Sequence, residues 1–166
     1  MGQFLGHQLG MLLAALAGLG VVVFLGRLVN AIVAKIRKAV PTAAPADVSA
    51  EEWDQITTTD PGPGQWLGVL ERILFFVTIS FGAWEVVAGW LIFKVGSKWE
   101  VWNNIVKVPP SFSASGNVLS HLRARHAWGT RVLQSFLAGT LANVLAGLVA
   151  AVAAKFVIGA WEVAVG

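Results

Sequence analysis

Apolar residues along this chain fall into three long blocks separated by two polar stretches. The block from Arg72 to Lys94, RILFFVTISFGAWEVVAGWLIFK, holds 21 residues between its basic ends, and Glu85 is their only formal charge. A bilayer's hydrocarbon core takes about 20 apolar residues to cross as a helix. The pattern therefore predicts a transmembrane helix with a carboxyl group near its middle. An ionised carboxylate there costs at least ~2.5 kcal/mol, so such a residue is normally neutralised, paired or functional.

The first block runs from Leu9 to Gly26 and continues past Arg27 as a basic helix end carrying Lys35, Arg37 and Lys38. Its Gly2, Gly6, Gly10, Ala14, Gly18 and Gly26 share an i, i+4 row interrupted only by Val22. Small residues on one ridge let two helix backbones approach closely. The third block lies between Arg131 and Lys155, 23 residues without formal charge, and Ala138, Ala142, Ala146, Ala150 and Ala154 form a second such row.

The polar stretches differ in charge. Residues 39–65 hold five acidic residues, no basic ones and four prolines, which marks a solvated loop. Within it Ser49 and Glu52 have capping-box spacing, predicting a short helix over Ala50–Ile56. After Lys94, the recurrence of Val95, Trp99, Trp102 and Val106 predicts an amphipathic extension that ends at Pro109–Pro110. Residues 108–130 form a basic loop in which Asn117 can cap a short helix.

The expected fold is an all-α integral membrane protein with three transmembrane helices and short amphipathic interfacial helices. Its divisions are 1–38, the first span with its basic end; 39–65, the acidic loop; 66–107, the second span and extension; 108–130, the basic loop; and 131–166, the third span and tail. Three spans place the two termini on opposite sides. They also divide the 12 basic residues six against six, so charge sets no orientation.

Composition supports a lipid solvent: 56% of the 166 residues are hydrophobic, 13% are charged, and the mean hydropathy is +0.69. Soluble domains are nearer a quarter charged. Eight tryptophans and no tyrosine suit the headgroup level. The absence of cysteine removes disulfides, thiolate metal sites and cysteine nucleophiles. No basic n-region precedes the first apolar block, so we read that block as retained. The net charge of +3 favours anionic lipid over nucleic acid. Lys98, Lys107, Arg123, Arg125 and Arg131 are the expected contacts to anionic headgroups.

Candidate chemistry is sparse. Two adjacent antiparallel spans would bring Glu85 and Asn143 to similar depth, where a protonated Glu85 could donate to the Asn143 carbonyl. The alternative use of Glu85 is ion or proton handling in a small homo-oligomeric channel. Thr78, Ser80 and Thr140 are the other polar lining residues. His121 and His126 lie five apart with no adjacent carboxylate, so no metal site is expected. No catalytic set and no cofactor-binding motif is present. The glutamate of FGAWEVVAG, set among small residues, resembles the glycine-flanked glutamate of ATP synthase g subunits, and the glycine row of the first span resembles those of the e and g subunits. That resemblance implies a class, accessory subunits that shape or dimerise a large complex.

The expected function is thus a non-catalytic accessory or assembly subunit of a multi-subunit membrane complex, respiratory, ATP synthase-type or photosynthetic. Its partners would be membrane lipids and other membrane subunits, and its location a mitochondrial or bacterial inner membrane.

Overall fold

The computed structural model describes residues 2–38, 49–57, 64–97 and 118–165. Among them all regular structure is α-helical: α1 (Gly2–Lys38), α2 (Ala50–Thr57), α3 (Gly64–Ser80), α4 (Trp84–Ser97) and α5 (Val118–Val165). Helices α1 and α5 are each long and apolar enough to cross a membrane. At 37 and 48 residues they measure roughly 55 and 72 Å, so both extend well past a hydrocarbon core.

The expected continuous second span is a helical hairpin. A single helix would hold Glu71 and Lys94 some 35 Å apart, yet the Lys94 ammonium donates to the Glu71 carboxylate at 2.8 Å. The cause of the break is local. Gly82 has φ +72°, its N–H donates to the Ile79 carbonyl at 3.1 Å, and the Ala83 N–H donates to the Thr78 carbonyl at 2.8 Å. This paired bonding is the Schellman termination, which satisfies the last carbonyls of α3 and needs a left-handed residue after the helix. Glycine takes that conformation without a Cβ clash. The chain then re-enters a helix at Trp84 and runs back along α3.

Small residues set the packing of the other elements. The antiparallel pairing of α1 with α5 is fixed near one end by Trp161, whose Nε1 donates to the Gly6 carbonyl at 2.9 Å, and near the other by Gly139 against Val33. Helix α3 lies in the angle between them, antiparallel to α1 and parallel to α5. Gly18 of α1 faces the Phe76 ring, and a Cβ on Gly147 of α5 would fall 2.6 Å from the Phe75 Cβ and 3.0 Å from the Phe76 backbone nitrogen. Phe75 is completely buried among Ala14, Val22, Ile79, Val87, Ala150 and Ala151. A second, smaller apolar contact lies beyond this core, where Trp53 of α2 packs on Ala124 and Trp128 of α5.

Three expectations change with the hairpin. The ends of α1 and α5 nearest the termini lie together, so the termini share one end of the bundle. Residues 118–130 belong to α5, and the expected basic loop is helical there because nothing between Val118 and Lys155 interrupts the helix. The even split of basic residues also disappears. Among the described residues, Arg27, Lys35, Lys38, Arg72, Lys94, Arg123, Arg125 and Arg131 occupy the half holding the α1 C-terminus and the α5 N-terminus, and Lys155 lies in the other. The short helix expected over Ala50–Ile56 is present as α2. The expected amphipathic extension, with Trp99, Trp102 and Val106, falls outside the described residues.

Candidate functional site: a buried polar network in the hairpin

The hairpin brings four polar side chains into the core. Glu71 and Arg72 come from the middle of α3, Lys94 from the last turn of α4, and Asn143 from α5; all are buried, Glu71 and Arg72 to 1% and 3% exposure. Adjacent residues on a helix point about 100° apart, so Glu71 and Arg72 can reach different neighbours. Glu71 faces α4 and Asn143, while Arg72 faces α1 at Gly26.

Every lone-pair direction that matters on Glu71 is used. Oε1 accepts from Trp90 Nε1 at 3.0 Å and pairs with Lys94. Oε2 accepts from Lys94 Nζ and from Asn143 Nδ2, both at 2.8 Å. The Asn143 Oδ1 in turn accepts from an Arg72 guanidinium nitrogen at 2.9 Å. Asn143 thereby bridges an acid and a base, its amide donating to one and its carbonyl accepting from the other. Lys94 also sits 4.9 Å from the centre of the Phe136 ring, where the ring face attracts a cation.

Glycine makes room for the arginine. A Cβ on Gly26 would fall 2.9 Å from an Arg72 terminal nitrogen, and Gly68 lies against both Arg72 and Asn143. One polar atom is left over: Arg72 Nε is buried with no hydrogen-bond partner. The network holds one carboxylate, one ammonium and one guanidinium, so it carries a surplus positive charge when all three are ionised. An uncompensated buried charge is costly unless paired.

The structure does not bring Glu85 and Asn143 together. Asn143 spends its amide on Glu71 and Arg72, while Glu85 is exposed in the first turn of α4, beside exposed Phe81 and Trp84. The physical reason is the turn at Gly82, which places Glu85 at the hairpin tip. Of the helix-packing residues, Gly10, Ala14 and Gly18 are buried on α1, and Ala146 and Ala150 are buried on α5. Gly6, Ala138 and Ala142 are half-buried. Gly2 begins α1, and its surroundings lie outside the described side chains.

Of the basic residues expected to meet lipid, Arg123 and Arg131 are exposed on α5 and Arg125 is half-buried. Lys98 and Lys107 lie outside the described residues. Thr78, Ser80 and Thr140 donate their hydroxyls to the carbonyls of Leu74, Phe76 and Phe136 in their own helices, which leaves them little to offer a polar pathway. Among the described residues no group of three acidic or histidine side chains could hold a metal.

The network is hidden in the sequence because Arg72 and Lys94 have the pattern of the wet ends of one span, with Glu71 outside it. A signal was available: Gly82 sits near the midpoint between Glu71–Arg72 and Lys94, so a fold at Gly82 superposes them. No protein-family model, curated protein or solved structure matches the chain.

Proposed function

We propose that this chain is a non-catalytic accessory or assembly subunit, embedded in a membrane by α1 and α5 and docked to other membrane subunits through the hairpin tip. The observation that carries the reading is the exposure of Glu85, with Phe81 84% and Trp84 54% exposed beside it. Gly18 packs on Phe76, only a turn or so from the tip, so the tip lies level with the apolar run of α1. A carboxylate facing hydrocarbon at that depth is strongly unfavourable. A neighbouring chain that supplies a donor removes the cost.

The buried network supports a structural role. Its carboxylate is fully bonded, and the nearby hydroxyls are bonded within their own helices. Interhelical polar bonds of this kind contribute about 0.6–2 kcal/mol each in lipid and hold the hairpin against α5. In this reading the complex is bioenergetic, of a mitochondrial or bacterial inner membrane, and the exposed basic side chains meet anionic headgroups. The second reading is a homo-oligomeric channel in which copies of Glu85 ring a water-filled pore, which also removes a carboxylate from lipid.

Purification in mild detergent separates the two. The accessory reading expects co-purification with several unlike membrane chains, and loss of those chains when Glu85→Leu and Trp84→Ala are combined. A lone homo-oligomer that conducts cations in planar bilayers, with conductance abolished by Glu85→Gln, overturns it.

A further inference from the structure

We propose that the groove between α1 and α3 is a binding site for one anionic phospholipid, its phosphate held by Arg27, Asn30 and Arg72 and one acyl chain lying along Leu19, Val23 and Ile73. This rests on the membrane reading above. The groove has a volume of about 210 Å³ and is open on one side. From Leu19 to Asn30 it follows α1 for roughly 16 Å.

Its two ends differ in chemistry. Leu19, Val22 and Val23 of α1 face Ile73 of α3 at the apolar end, while Arg27, Asn30 and Arg72 line the other, with Val69 beside them. Arg27 is the first Lys, Arg, Asp or Glu in the sequence, and so marks where α1 leaves the apolar layer. Apolar and basic ends therefore lie in the order in which a phospholipid presents tail and headgroup.

Charge selects an anionic occupant. Arg72 is 3% exposed and its Nε has no partner. Neither Arg27 nor Asn30 has an ion-pair or hydrogen-bond partner among the described residues. The buried network already carries one excess positive charge, and Arg27 adds another beside it. A phosphodiester supplies the negative charge and acceptor oxygens that this arrangement lacks. Basic pockets between membrane helices take anionic headgroups for this reason.

The test uses the full chain in mild detergent, titrated with phosphatidylglycerol, phosphatidylcholine or inorganic phosphate and read by native mass spectrometry. We expect one tightly retained phosphatidylglycerol per chain, favoured over phosphatidylcholine and not displaced by phosphate. Arg27→Gln should weaken retention about fivefold, the worth of one basic residue at an anionic surface. Val23→Trp, at an exposed position on the apolar side of the groove, should block the groove and weaken retention at least as much. Lys155→Gln, at an exposed position in the other half of the bundle, should leave it unchanged. Equal retention of the two lipids, displacement by phosphate, wild-type retention in both groove variants, or an equal loss in Lys155→Gln each overturn the site. A chain that stays soluble and monodisperse without detergent overturns the membrane reading and the site together, whereas detergent dependence without lipid preference overturns the site alone.

Discussion

Asn143 is the residue on which the polar network turns, because it is the one neutral group that touches both the acid and a base. Replacing it with leucine leaves Glu71 one donor short and Arg72 without its bonded acceptor in a buried setting. Removing one ion of a buried pair costs about 3–5 kcal/mol, and leaving buried groups without their hydrogen-bond partner costs about 1–3 kcal/mol each. We therefore expect Asn143→Leu and Lys94→Met each to lower the stability of the purified chain by several kcal/mol, measured by helicity loss in a denaturing-detergent titration. Glu85→Gln, on an exposed side chain, should stay within about 0.5 kcal/mol of wild type. A double-mutant cycle decides which carboxylate Asn143 serves. Asn143→Leu combined with Glu71→Gln should be strongly non-additive, and combined with Glu85→Gln additive; the reverse result would remove the network.

At the scale of elements, the decisive feature is the termination of α3. The Schellman bonds from Gly82 and Ala83 close that helix and aim the chain back. Gly82→Ala places a side chain in a left-handed conformation, which costs roughly 1–2 kcal/mol. Gly89 supplies the control, since a Cβ there meets nothing within 4 Å and Gly89→Ala should be neutral or stabilising by up to about 1 kcal/mol. Equal effects of the two substitutions would argue against a turn at Gly82. The small-residue ridges act differently, by contact. Gly147→Leu would drive a side chain into the Phe75–Phe76 backbone, so α3 must move away from α5, and the expected readout is loss of the folded hairpin to proteolysis between α3 and α4.

These elements were unequally legible. The length and apolar character of α1 and α5 could be read from composition alone, as could α2 from its capping residues. The row Gly10, Ala14, Gly18 was legible as a ridge because helical spacing places it on one face. The hairpin was not read, because a 21-residue apolar run satisfies the length rule for a span whether or not it folds in two. One glycine within such a run is common in membrane helices, so Gly82 alone did not mark the break.

For the whole molecule, the hairpin changes topology and charge distribution together. In a membrane-spanning bundle, α3 and α4 would enter and leave from one face, with both chain termini at the opposite face. The chain has no cysteine, so single labels are clean: Trp66→Cys and Ser97→Cys, both exposed at the open end of the hairpin, should react with a membrane-impermeant maleimide from the same side. A continuous span predicts opposite sides. The concentration of basic residues at that end further predicts, by the positive-inside rule, that the reactive side is the cytoplasmic or matrix one. Labels from opposite faces would restore three spans.

By itself the sequence determined that the chain is helical and that α1 and α5 are long and apolar enough to cross a membrane, since hydrophobic length, the scarcity of charge and helical spacing are local properties that a chain carries whatever its fold. It also determined that small residues would line the packing faces of the two long helices. Only the tertiary structure decided which polar groups meet. Glu71, Lys94 and Asn143 are separated by tens of residues, and whether a carboxylate finds an ammonium across 23 of them depends on a single turn of backbone at Gly82. That turn exchanged the partners expected for Asn143, moved Glu85 from the centre of a span to an exposed tip, and gathered the basic residues at one end of the bundle.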